Sequence, residues 1–215
     1  MRNLLCALAV VGVAGICRAS VITSSPVLPP NTGAYVTADG VNTVYNAGPL
    51  VFVLSHVQHG SFSSINRIAS GADESESFSS EATGLVSVNG GPNTPVDLTG
   101  PCGVLVHNKI GQVTGTFDTE MTSLSLSGIS GGNPVFFRES PTLASTGSTT
   151  ITDIGGGDFR IDSFFDIFTE LSIDGGSTWV PSTSSTHVVL SNLPEPATLS
   201  LLGLPMMLLM RRKRD

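Results

Sequence analysis

Phe159-Arg160-Ile161-Asp162-Ser163-Phe164-Phe165-Asp166-Ile167-Phe168-Thr169-Glu170-Leu171-Ser172-Ile173 decides the fold class. Phe159, Ile161, Phe165, Ile167, Leu171 and Ile173 share one parity, while Arg160, Asp162, Asp166, Glu170 and Ser172 share the other. A period of two turns the first set to a core and most of the second to water, the mark of a half-buried strand. Fifteen residues is long for one strand, so the spacing predicts a bend or bulge near Ser163-Phe164. Asp174-Gly175-Gly176 reads as a turn, and Ser177 to Val180 returns as a hairpin partner carrying the only tryptophan, Trp179.

Outward from this stretch the same grammar recurs. Short apolar or alternating runs are separated by Gly, Asn, Asp and Pro, and long helix-periodic stretches are absent. Leu50 to His56 suits a central strand, and Glu76 to Val88 alternates weakly around Phe78. Pro101-Cys102-Gly103 reads as a turn entering Val104 to Val106, and Gln112 to Met121 places Val113, Phe117 and Met121 on one face. Ser123 to Ser127 turns Leu124 and Leu126 inward; Val135 to Glu139, Thr149 to Ile154 and Thr186 to Leu190 complete the set. About ten strands with frequent turns predict an all-β body, a sandwich or jelly roll.

The two ends differ from this body. Arg2 precedes an apolar run of 13 residues, Leu4 to Ile16, and Cys17-Arg18-Ala19 offers small residues at the positions a signal peptidase reads. The run is short for a membrane span and suits a secretory signal cleaved after Ala19. Ile16 before Cys17 argues against lipidation of that cysteine. At the other end stand Leu193-Pro194-Glu195-Pro196, an apolar run from Ala197 to Met210, and Arg211-Arg212-Lys213-Arg214. As a helix the run of 14 residues would reach roughly 21 Å, short of a ~30 Å hydrocarbon core. It would be a marginal anchor whose basic block holds the C-terminus on the cytoplasmic side.

Pro194 to Arg214 resembles the PEP-CTERM sorting signal of exported bacterial proteins: the Pro-Glu-Pro, the Ala197-Thr198-Leu199 after it, the Leu-rich run and the basic stop. Pro205 and Met206-Met207 depart from the usual Leu and Gly. The resemblance implies recognition of Pro194, Glu195 and Pro196 by exosortase, a membrane-embedded cysteine protease, and a destination at the cell surface or in extracellular polysaccharide. Runs within Gly115 to Pro181, such as Gly115-Thr116-Phe117-Asp118-Thr119-Glu120-Met121 and Arg138-Glu139-Ser140-Pro141, resemble a body recurrent in planctomycete-type PEP-CTERM proteins, which implies a shared surface domain without an assigned activity.

The chain therefore divides into a signal peptide over 1–19, a body over 20–192 and a sorting tail over 193–215. Between the two sorting segments stand four basic residues, Arg67, Lys109, Arg138 and Arg160, against 15 acidic ones, a net charge of −11. Such a surface argues against nucleic acid, which needs clustered Lys and Arg. Cys102 is the only cysteine of the body, so it has no partner within the body and is expected to be buried.

Candidate sites are few. Asp153 and Asp158 flank Gly155-Gly156-Gly157, a loop able to wrap calcium, and Asp162, Asp166, Glu170 and Asp174 follow. The spacing matches no EF-hand, and Asp162, Asp166 and Glu170 read more simply as a solvated strand face. Gly128-Ile129-Ser130-Gly131-Gly132 fits G-x-S-x-G, but no helix follows, so a β-turn is the better reading. His56 and His59 fall on opposite faces of a strand and read as scattered surface histidines. Trp179 could stack on sugar, yet beside a hairpin it reads more simply as core. The expectation is an exported, non-enzymatic surface or matrix protein with no cofactor, served in transit by signal peptidase and exosortase. A carbohydrate- or ice-binding module is the alternative, and an extracellular hydrolase a further one.

Overall fold

A computed structural model describes residues 20–192; the expected signal peptide, its Ala19 cleavage point and the sorting tail with its anchor segment lie outside the described residues. The described residues form an all-β body of 13 strands. In order these are β1 (Val21–Thr23), β2 (Ala34–Val36), β3 (Asn42–Ala47), β4 (Leu50–Ser70), β5 (Asp73–Val88), β6 (Thr94–Val106) and β7 (Gly115–Ser130). There follow β8 (Asn133–Glu139), β9 (Ser145–Gly155), β10 (Asp158–Ile167), β11 (Thr169–Ser172), β12 (Val180–Pro181) and β13 (Thr186–Ser191).

The expected sandwich or jelly roll gives way to a barrel. All strands belong to one sheet, and β9 pairs both with β7 and with β10, closing an eight-strand ring of β10, β13, β2, β4, β5, β6, β7 and β9. The remaining strands lengthen this wall. β8 continues the line of β9 along β7, β11 continues β10, and β3 continues β2 along β4. A bridge between Tyr45 and Ser182 joins the end of β12 to β3, so the extended part closes as well. Closure leaves few unpaired edges, the usual liability of an exposed sheet.

Long strands must coil to follow such a wall, and β4, of 21 residues, does so through three register shifts. His56, Ser61 and Ser64 lie at these shifts with φ of 52°, 52° and 53°. A bulge with a residue in the left-handed region bends a strand and increases its twist. Alternation then fills the interior: Glu76, Phe78, Ser80, Ala82 and Val86 of β5 point inward, while Ser75, Ser77, Ser79, Glu81 and Thr83 face out. A barrel of eight strands has an interior that side chains just fill. Two small internal cavities remain, of about 20 Å³ beside Tyr35, Phe78 and Cys102 and about 60 Å³ beside Leu98, Leu126 and Val188.

Several sequence expectations change. The break in the long strand falls at Phe168, between β10 and β11, where the Phe168 N–H donates to Ser145 Oγ at 3.0 Å. Ser163 needs no bend: it lies inward with Phe165, bonded to Tyr35 Oη at 2.9 Å and Thr149 Oγ1 at 2.7 Å. The register changes partners past Phe168, so Ile173 ends 43% exposed and Glu170 turns inward. Val113 precedes β7 and is 55% exposed, and Pro101-Cys102-Gly103 lies inside β6. Leu124 and Leu126 do point inward. Gly131 and Gly132, both at positive φ, join Ser130 to Asn133 as a two-residue hairpin, so the G-x-S-x-G match is a turn.

β6 and β7 approach so closely that a Cβ on Gly128 would lie 1.9 Å from Asp97 O, and one on Gly100 2.0 Å from Ser125 O. Backbone, unlike a side-chain tip, cannot move aside cheaply. Gly128→Ala is expected to lower stability by about 1–3 kcal/mol, read as a fall in the urea midpoint.

Candidate functional site

An open groove of about 370 Å³ runs along the outer wall over β9, β10 and β13, lined by Ser148, Thr150, Asp162, Phe164, His187 and Val189. Period two turns Asp162, Phe164 and Asp166 of β10 outward, while Ile161, Ser163, Phe165 and Ile167 are buried. Register completes the arrangement. Phe164 lies between Ser148 and Val189, Asp162 beside Thr150, and Asp166 beside His187. The Phe164 and His187 rings lie 5.4 Å apart at 34°. His187 Nδ1 donates to Asp166 Oδ1 at 2.9 Å, and Arg160 Nε reaches Asp162 Oδ2 at 3.2 Å. Phe164 is 36% exposed, an aromatic ring on a strand whose other outward side chains are charged. The groove thus joins an aromatic ring to carboxylates, hydroxyls and an imidazole.

A second polar group lies inside the barrel. His59, expected at the surface, is buried, because the bulge at His56 resets the parity of β4. Its Nε2 donates to Ser80 Oγ at 2.8 Å, which in turn donates to Gly100 O. Burial lowers the His59 pKa to about 4, so the ring is neutral. Glu76 is 2% exposed, and its Oε1 has no hydrogen-bond partner. Burial, then the neighbouring Glu74 carboxylate, pushes Glu76 up to about 8. Arg67 faces Glu76 across β4 and β5, yet its Nε donates to Leu28 O at 2.5 Å. Cys102 is buried, and desolvation pushes its thiol up to about 12, which makes it a poor nucleophile.

The remaining sequence candidates separate. Asp153 and Asp158 stand at the β9–β10 hairpin, where Asp153 Oδ1 accepts from the Gly155 N–H at 2.8 Å. Among the described residues no three His, Cys, Asp or Glu side chains converge as a metal cage. Glu170, expected on a solvated face, is 9% exposed and paired with Arg138 at 2.6 Å. Asp174 accepts from Ser172 Oγ, the Thr178 N–H and Thr178 Oγ1, bonds that hold its carboxyl down at about 2 and order the loop before β12. Trp179 is half-buried, not core, with the Arg138 guanidinium 4.2 Å from its ring centre, so one ring face is already covered. Phe164 was missed as a site residue because parity marks only which residues face out. Which outward residues of neighbouring strands share a groove depends on register. Among the described residues no helix is long and apolar enough to cross a membrane.

Two outcomes follow. In the unfolded chain Glu76 ionises from its ordinary value of 4.5 upward, but in the fold only near 8. Its contribution to stability is therefore full below pH 4.5 and lost as pH rises to 8. Urea unfolding at several pH values should show Glu76→Gln with a flatter profile, its stability relative to the native chain rising by on the order of 2–4 kcal/mol across that window. Arg138→Leu should cost about 1–2 kcal/mol through loss of the charged hydrogen bond and should also shift the emission of Trp179, the only tryptophan.

No family model, no curated protein and no solved structure matches this chain.

Proposed function

We propose that this chain is an exported surface or matrix protein without catalytic activity, cut from its signal peptide after Ala19 and sorted through Pro194, Glu195 and Pro196 by an exosortase. Arg211, Arg212, Lys213 and Arg214 set the topology of the tail until it is removed. The order Pro-Glu-Pro, apolar run and basic stop carries the reading. The placement of the body's two ends supports it. Asn192 Nδ2 donates to Ser20 O at 3.2 Å, so both ends leave the barrel wall at one point. Membrane-directed segments attached at 1–19 and 193–215 would start from the same place, and neither would need the barrel to open. The surface of the body agrees in character: outward positions of β5 are mostly Ser and Thr, and the net charge of the body is −11. Such a surface suits solubility outside the membrane.

A second reading, a carbohydrate-binding module, is favoured by the groove around Phe164. It is compatible with the first, since sorting delivers the body and the groove gives it something to hold. A calcium ion at Asp153 and Asp158 would rigidify the β9–β10 hairpin, but among the described residues no third His, Cys, Asp or Glu side chain joins them.

Replacement of Pro194, Glu195 and Pro196 together by Ala should leave the protein in the membrane fraction with its tail uncut. Intact mass of the protein from membrane and medium fractions reads this directly. Normal processing of the triple variant would end the sorting assignment.

A further inference from the structure

We infer that the outer groove over β9, β10 and β13 binds a neutral polysaccharide, with the Phe164 ring as the stacking platform. The inference deepens the surface-protein reading and rests on it only for the place where such a polymer is met.

The first ground is the position of Phe164. The strand β10 buries Ile161, Phe165 and Ile167, and its outward neighbours at 160, 162 and 166 are charged. A phenylalanine on that face gives up burial and gains nothing for the core. Its ring leans on the His187 imidazole and borders Val189, so it is held while it stays 36% exposed. A fixed aromatic face matches the C–H face of a pyranose ring.

The second ground is the polar setting. Asp162 and Asp166 lie two residues either side of Phe164, roughly 7 Å away along the strand at ~3.3 Å per residue. Each carboxylate has one oxygen engaged, by Arg160 or by His187, which fixes its orientation and leaves the other oxygen for a ligand hydroxyl. Ser148 Oγ donates to Phe117 O at 3.3 Å and Thr150 Oγ1 pairs with Thr116 Oγ1 at 2.9 Å, so each keeps a lone pair that can accept from a sugar hydroxyl. Sugar hydroxyls can donate to these acceptors around an apolar platform.

The third ground is charge and size. A body of net charge −11 with carboxylates in the groove repels uronates, sulfated glycans and phosphates, so the polymer is neutral. The groove, at about 370 Å³, is of ligand size, whereas the internal cavities of about 20 and 60 Å³ are not. Trp179, the other candidate platform, is less exposed than Phe164 and lies outside the groove, with Arg138 against one ring face.

The test is affinity electrophoresis of the full chain in mild detergent, through native gels containing dextran, mannan, hydroxyethylcellulose or alginate. At least one neutral polymer should retard the native chain, and alginate should not. Phe164→Ala should weaken that retardation at least tenfold with an unchanged melting temperature, Phe164→Trp should keep it, and Asp162→Asn with Asp166→Asn should weaken it severalfold. No retardation by any neutral polymer, retardation indifferent to Phe164→Ala, or stronger retardation by alginate would each overturn the inference. Self-association abolished by Phe164→Ala, with no glycan effect, would assign the face to a second copy and overturn it too. The sorting assignment is read separately by intact mass, so either can fail while the other stands.

Discussion

Ring closure through β9 is the constraint on which the rest of this body depends. β9 is bonded to β7 on one side and to β10 on the other. Those two ladders convert a meander of long strands into a wall without ends. Closure fixes an inside and an outside for every residue, and the interior of an eight-strand ring leaves room for little more than the side chains themselves. The glycines at 100 and 128, the coiling bulges of β4 and the inward hydroxyls of Ser163, Thr149 and Thr169 are consequences of fitting one sheet around that space.

The same closure explains the buried polar groups. On an open sheet Glu76 and His59 could lean toward an edge and reach water; in a closed barrel an inward residue has only the interior. His59 is accommodated as a neutral ring by Ser80. Glu76 is accommodated less fully, with one carboxylate oxygen lacking a hydrogen-bond partner and an ionisation displaced toward neutral pH. Uncompensated burial of a carboxylate opposes folding when it is ionised. The outer wall has the converse freedom. Its residues answer to weaker packing demands than the core, so an aromatic ring there, as at Phe164, is more informative than one inside.

Alternation made much of the all-β body legible. Outside Ser163 and Phe164, the faces of β10 read correctly from Phe159 to Ile167 because they are strongly marked, apolar inward and charged outward. Legibility failed where period two was interrupted. The bulges of β4 reversed the expected side of His59, the break at Phe168 displaced Ile173 and Glu170, and the Gly-Pro sequence at 100–101 hid the continuity of β6. Ser163 misled for another reason: a small polar residue is a break signal in isolation and a good core residue once Tyr35 and Thr149 bond to it.

The sequence by itself determined the strand-forming body and its acidic composition, because these depend on composition and on neighbours within a few residues. Tertiary structure alone decided that the sheet closes, that Ser20 and Asn192 meet, and that Phe164, Asp162, Thr150 and His187 share one groove. Those facts depend on pairing between strands far apart in the chain, such as Ala34 of β2 with Ser191 of β13. Register within a hairpin such as β9–β10 follows its turn, but pairing between strands distant in the chain is set by the packing of the whole barrel.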